Sequence, residues 1–240
     1  MRYFIFTILT ISMIFNSNAQ FKMKRNGLGL HAGVNTTTLW NIEDNLVEIS
    51  PDHDPMPGYQ IGMRYNIKLG PIGFCPEINY TSITTGNETI TLGVTQKTST
   101  TLNYVSVPLL LKLYIGGFNI HVGGQASTLL GGKAKNEITG GGLDESTSLD
   151  IKDEIFYETI DGTRYWFFQE IDLAAIVGWG IDTKMGLYGS CRTIMSLVPT
   201  QNLLLFNAQN NVAGLPNYTA EQINLLPKWV SVQFSLGYKF

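Results

Sequence analysis

The chain has 240 residues, with 16 basic and 19 acidic side chains for a formal charge of −3, and only 15% of its residues are charged. That balance excludes a nucleic-acid binder, which needs a basic surface, and two cysteines distant in sequence exclude a disulfide framework. Twenty-five glycines and 11 tyrosines, with many threonines and asparagines, suit strands, tight turns and polar loops.

Met1 and Arg2 precede an uncharged, largely apolar run over 3–15, and Ser17 and Ala19 then supply small residues at the spacing of a cleavage site. The run is shorter than the roughly 20 residues of a membrane-spanning helix. Residues 1–19 are therefore expected to be a cleaved signal peptide, leaving a mature chain that begins at Gln20. Loss of Arg2 takes the charge to −4, from 15 basic and 19 acidic residues. No later apolar run reaches about 18 residues, so the exported chain is tied to a membrane by its fold or not at all.

Reading for a period of two gives eight strands, over 26–37, 58–69, 72–84, 100–115, 118–130, 169–182, 184–197 and 228–240. The first sets Leu28, Leu30, Ala32 and Val34 against Gly29, His31, Gly33 and Asn35. The second alternates from Tyr59 to Leu69, with Gln60, Arg64, Asn66 and Lys68 on the other face. The third contains Pro76, which cannot donate to a ladder and predicts a bulge or a break. The fourth and fifth place Val105 to Leu113 and Phe118 to Ala126 outward, leaving Ser106, Lys112, Asn119, His121 and Gln125 inward. The sixth opposes Ile171, Leu173, Ala175, Val177 and Trp179 to Glu170, Asp172, Gly178 and Gly180. The seventh is the least regular, with Tyr188, Ser190 and Arg192 inward if Leu187, Gly189 and Cys191 face out. The last alternates without a fault and ends on Phe240.

The connections alternate between short and long. Leu69-Gly70-Pro71, Gly116-Gly117 and Thr183 read as tight turns, and long polar segments lie near 38–57, 85–99, 131–168 and 198–228. Short turns on one side, long loops on the other, and an even number of two-faced strands are the pattern of an outer-membrane barrel. The expected fold is therefore all-β, a transmembrane antiparallel up-and-down β-barrel over 20–240. It has eight strands, or ten if loop hairpins span, in the outer membrane of a Gram-negative cell. Within the third long loop, 155–157 and 165–168 read as a hairpin turning at Asp161-Gly162.

GLHAGVN, GPIGFCPEINYT (70–81), LNYVSVPLLLKLYI (102–115), FNIHVGGQASTLLGGKAK (118–135) and the terminal VSVQFSLGYKF resemble, in order and spacing, the PorT-like outer-membrane β-barrel family. The resemblance covers most of the mature chain apart from the loops. It implies a barrel in the outer membrane, and one member of that family is associated with protein secretion across it.

An eight-stranded barrel is just wide enough for side chains to fill. The inward face carries Arg64, Glu77, Lys112, Glu170, Asp172 and Arg192, expected as an interlocked charge network that offsets burial. Tyr165, Trp166, Phe167 and Phe168 suit the aromatic girdle of the membrane interface or a partner surface. Phe234, Tyr238 and Phe240 form the C-terminal aromatic face, read as an insertion signal for the barrel-assembly machinery. His53, between Asp52 and Asp54, is the one loop residue with the makings of a general base. Its neighbours in sequence do not aim at one point, and no motif fixes a nucleophile beside it. G-W-G at 178–180 lies on a strand and lacks the strand-turn-helix context of a nucleotide site.

These readings point to a non-enzymatic barrel with a structural or docking role, whose extracellular loops engage an envelope or secretion partner. It has no cofactor and no metal site. Outer-membrane lipid and lipopolysaccharide surround it. A narrow solute or ion channel is the alternative, and a barrel enzyme of lipid acyl transfer or proteolysis using His53 ranks below both.

Overall fold

The computed structural model describes residues 26–43, 46–49, 54–91, 94–140, 143–154, 156–158, 164–203 and 226–240. The expected signal peptide, His53 and the turn at Asp161-Gly162 lie outside these residues, as do 204–225 of the last long loop. Eight long strands form where polar or small residues alternate with apolar ones, many of them β-branched. They are β1 (Gly27–Glu43), β3 (Asp54–Leu69), β4 (Ile72–Thr91), β5 (Val94–Ile115), β6 (Phe118–Gly140), β10 (Ile171–Asp182), β11 (Leu187–Ser196) and β12 (Lys228–Lys239). Each pairs antiparallel with its neighbours in the order β10-β11-β12-β1-β3-β4-β5-β6, and β6 pairs back to β10, closing a ring of eight. Closure leaves no unpaired edge in lipid. The first and last strands meet from Gly29 opposite Lys239 to Trp40 opposite Lys228.

The alternation is inside out relative to a water-soluble fold. Leu236 is 77% exposed while Ser235 beside it is 4% exposed, and Val34 is 62% exposed beside Asn35 at 3%. A barrel with apolar residues outside and polar residues inside is stable only with hydrocarbon around it. Among the described residues no helix is long and apolar enough to cross a membrane.

Among the described residues four short strands accompany the ring: β2 (Leu46–Ile49) on β1, β7 (Leu143–Asp150) on β6, and the hairpin of β8 (Phe156–Glu158) with β9 (Arg164–Trp166). That hairpin sets Phe156 opposite Trp166 and Tyr157 opposite Tyr165, and its second strand ends at Trp166, so Phe167 and Phe168 fall outside it. None of these adds a stave to the ring, so the count is eight and not ten.

Three expectations change. Pro76 neither breaks β4 nor bulges it: Arg64 opposite Glu77 and Ile67 opposite Phe74 keep one register across it. The shifts fall instead between Pro55 and Tyr59 and between Asn103 and Tyr104, near the upper rim. The third short connection is a four-residue turn from Thr183 to Gly186, closed by Gly186 N–H to the Thr183 carbonyl at 3.3 Å, so Lys184 lies in the turn. The segments expected as loops near 38–57, 85–99 and 131–168 are largely strand. Their threonines favour extended backbone, but with water on both faces they lose the apolar alternation that marks a strand in sequence.

Candidate functional site

Two ion pairs cross the lumen in its lower, turn-side half. Arg192 Nη1 on β11 lies 2.7 Å from Glu77 Oε2 on β4, and Arg64 Nη2 on β3 lies 2.8 Å from Asp182 Oδ1 on β10. In the ring of eight, β11 and β4 stand four places apart, as do β3 and β10, so each pair is a strut across the full diameter. All four side chains are buried. At the Arg192–Glu77 pair burial of charge is tolerated because the remaining Arg192 donors are used, whereas Arg64 Nε and Asp182 Oδ2 have no partner among the described residues. Arg192 Nε donates to Gln233 Oε1 at 3.0 Å and Nη2 to Gln60 Oε1 at 3.3 Å, while Asn79 Nδ2 donates to Glu77 Oε2 at 3.2 Å. The Arg64 guanidinium lies 3.1 Å from the centroid of the Tyr188 ring, a cation–π contact. His31 and His121 are hydrogen-bonded to Tyr188 Oη at 3.3 Å and to Asn119 Oδ1 at 3.1 Å. Gly178 of the G-W-G triplet makes room for this layer, since a Cβ there would stand 2.7 Å from both His121 Nε2 and Arg192 Cβ.

Of the six charges expected to interlock, three do not join the struts. Lys112 is buried beside them but makes no ion pair among the described residues. Asp172 lies higher, where its Oδ1 accepts from Ser196 Oγ and its Oδ2 has no partner among the described residues. Glu170 is not in the lumen: β10 starts one residue later, and its carboxylate sits at the rim 3.6 Å from Lys152 Nζ. Asp182, the true partner of Arg64, shares the parity of Asp172 and closes the same strand, so extending the alternation to the strand's end finds it. Among the described residues no imidazole is hydrogen-bonded to the Ser196–Asp172 pair.

Above the charged layer the lumen turns apolar. Ile83, Leu102, Tyr104, Leu110, Leu129, Ile176, Ile194 and Trp229 form one buried cluster. The rings of Tyr104 on β5 and Trp229 on β12 meet with centroids 6.5 Å apart, and these strands are again four places apart in the ring. Opposite walls therefore touch.

Beyond this plug the strands continue into water. The outward face of β5 is apolar from Val105 to Ile115 and polar at Asn103, Thr101 and Ser99 above. Upper β4, β5, β6 and β7 make a sheet standing over the rim, with Glu88 opposite Lys97 and Glu137 opposite Ser146. Lys135 bonds the Glu137 carboxylate there and holds its pKa below the usual range. Tyr165 and Trp166 lie on β9, with Trp166 Nε1 donating to the Lys152 carbonyl at 3.1 Å. Phe167 and Phe168 stack edge to face at 5.2 Å, and Phe168 packs against the plug instead of facing headgroups. Outward aromatics occur elsewhere on the wall: Phe118 on Trp179 and Tyr238 on Phe240 near the turns, and Tyr59 with Tyr80 higher up. Phe234, Tyr238 and Phe240 are all exposed on the lipid-facing surface. The two cysteines are free, Cys75 buried in the lumen and Cys191 half-buried.

Among the described residues no cluster of His, Cys, Asp and Glu could hold a metal ion. No curated protein matches the chain. The chain is similar to the solved structures of Ail, the attachment invasion locus protein of Yersinia pestis, at 13% identity over 89% of this chain and 99% of that one with a TM-score of 0.38. It is similar to Neisserial surface protein A at 10% over 89% and 97% with a TM-score of 0.43. Acinetobacter baumannii CarO2 aligns at 10% over 88% and 98%, with a TM-score of 0.34. The family described as outer membrane protein beta-barrel domain matches residues 18–201, and that span holds the struts and seven of the eight staves, with Trp229 of the plug on the eighth: the chain belongs to this family of outer-membrane barrels.

Proposed function

We propose that this barrel is a closed, non-enzymatic scaffold that holds a strand-built extracellular surface for an envelope or secretion partner. The observation that carries the reading is the length of β5 and β6, 22 and 23 residues, against the roughly 9–11 that a barrel strand needs to span a bilayer. About half of each strand is spent outside the membrane, on a sheet that contributes nothing to closure. The resemblance of PEINY (76–80) and NYVSVPLLLK (103–112) to PorT-like barrels supports a secretion-associated partner. Export through residues 1–19 and delivery by the barrel-assembly machinery through the terminal aromatics complete the proposal. The contact of Tyr104 with Trp229 across the lumen supports a closed interior over the narrow channel.

The test is a trimmed protein in which Asn-Gly turns join Gly86 to Ser99 and Lys135 to Ser148, each pair already opposite in the ladder. In-membrane crosslinking followed by quantitative mass spectrometry is expected to recover a reproducible set of envelope proteins with the intact chain, and to lose that set with the trimmed one. Recovery of the same set by both would overturn the reading.

A further inference from the structure

The outer wall carries a groove of about 480 Å³, and it follows a single strand. After Leu187 the outward residues of β11 are Gly189 and Cys191. Beside them β10 sets Ile181 and Trp179, and β12 sets Leu236 and Phe234, in the same two rows of the ladder. Two small residues between two pairs of large ones leave a trough whose floor is the β11 backbone, and all six residues line it. The walls stand on strands two spacings apart, roughly 10 Å, so the width left between their side chains suits one extended hydrocarbon chain. One wall is braced from behind, because Phe118 stacks on Trp179 with ring centroids 6.1 Å apart. The floor is open, since a Cβ at Gly189 would meet nothing nearer than the flexible tip of Leu236, Cδ2 at 3.3 Å. The trough lies within the lipid-facing belt, with exposed Leu187 below it and exposed Val177 above. Gly189 and Cys191 come two and four residues after the first residue of β11, roughly 7–13 Å along the strand and so within the roughly 15 Å of hydrocarbon core on the turn side. At its foot, in the turn from Thr183 to Gly186 that joins β10 to β11, Lys184 is exposed and forms no ion pair among the described residues.

We infer that the trough is a binding site for one acyl chain of a phospholipid in the turn-side leaflet, whose phosphate is met by Lys184. Escape from water supplies no preference inside a bilayer, where the alternative neighbour is another lipid tail. The preference comes from dispersion contact on three sides of the chain, two walls and a floor, in place of mobile neighbours. Lys184 adds charge complementarity at the level where the phosphate of that lipid sits. A second copy of the barrel does not fit the trough, because its wall is convex and several strands broad while the floor is one strand wide. This site is independent of the docking reading, since it lies in the hydrocarbon belt and not on the protruding sheet.

The test uses the full chain in nanodiscs of phosphatidylethanolamine and phosphatidylglycerol, doped with phosphatidylethanolamine that carries a diazirine at the middle of one acyl chain. After irradiation, mass spectrometry maps the adducts along the chain. Adducts are expected several-fold above the rest of the wall at Trp179, Cys191 and Phe234. Gly189→Leu, which fills the trough, should remove that excess. Gly124→Leu makes the same change on the exposed outward face of β6, where a Cβ has ample room, and should keep it. Lys184→Gln is expected to lower the excess about fivefold, the effect of one lysine at a phosphate surface, and diacylglycerol with the same diazirine chain should label the intact protein as weakly. Heat-dependent gel mobility shows that each variant is folded. Labelling spread evenly around the wall, or an excess unchanged by Gly189→Leu, would overturn the site. An excess unchanged by Lys184→Gln would overturn the phosphate contact, and a Cys191–Cys191 disulfide between copies on mild oxidation, in place of lipid adducts, would give the trough to a second copy and overturn the inference.

Discussion

Glu77 and Arg192 illustrate what a lumen side chain does here: each satisfies the buried charge of the other across the barrel. Removing one partner leaves the other charged and buried, a loss of about 3–5 kcal/mol. Glu77→Gln is therefore expected to lower unfolding stability by that amount in urea titrations of vesicle-inserted protein. The double change Glu77→Gln with Arg192→Met should cost clearly less than the sum of the two singles, because it removes the orphaned charge. Additive losses would show that the strut is not a coupled unit. Parity along the strands was enough to place Arg64, Glu77, Lys112 and Arg192 inside, because a period of two fixes the face once one residue is known. It was not enough to pair them. Partners across the lumen come from strands more than a hundred residues apart, as with Arg64 and Asp182, and that distance depends on ring closure and stagger that no local pattern records.

At the scale of elements, the turns that join staves and the strands that leave the membrane obey different rules. Gly70 and Gly116 both sit at φ +65° with open space around the missing side chain, so a substitution there meets only the backbone cost of the left-handed region, about 1–2 kcal/mol. Gly70→Val is expected to lower stability by that much without changing the barrel, checked by the same urea titration and by unchanged heat-dependent gel mobility. The spanning parts of all eight strands were legible because lipid on one face and packed polar groups on the other enforce alternation. Upper β4, β5 and β6 were not, since a strand wetted on both faces has no reason to alternate, and their threonines carry β-propensity without direction. Because that sheet adds nothing to ring closure, the trimmed protein with Asn-Gly turns at Gly86–Ser99 and Lys135–Ser148 is expected to fold. Its unfolding midpoint should stay close to that of the intact chain. A trimmed chain that fails to insert would assign the upper sheet to folding and not to docking.

For the whole molecule, two stacked layers occupy the lumen, charged struts on the turn side and an apolar plug on the loop side. A path for ions would need a continuous polar route. The Arg192–Glu77 strut is held by hydrogen bonds to Gln233, Gln60 and Asn79, and the plug brings rings from opposite walls together at 6.5 Å. The same construction lets a narrow barrel bear a large extracellular sheet, because diametral contacts resist ovalisation of the wall. The measurement that tests this account most directly is single-channel recording of the protein refolded from inclusion bodies, free of native porins, in planar bilayers. The account predicts a silent membrane for the intact chain at all voltages that the bilayer withstands. Stable current steps from the intact chain, with an amplitude that changes in Glu77→Gln or Arg192→Met, would place the conducting path through the struts and contradict it.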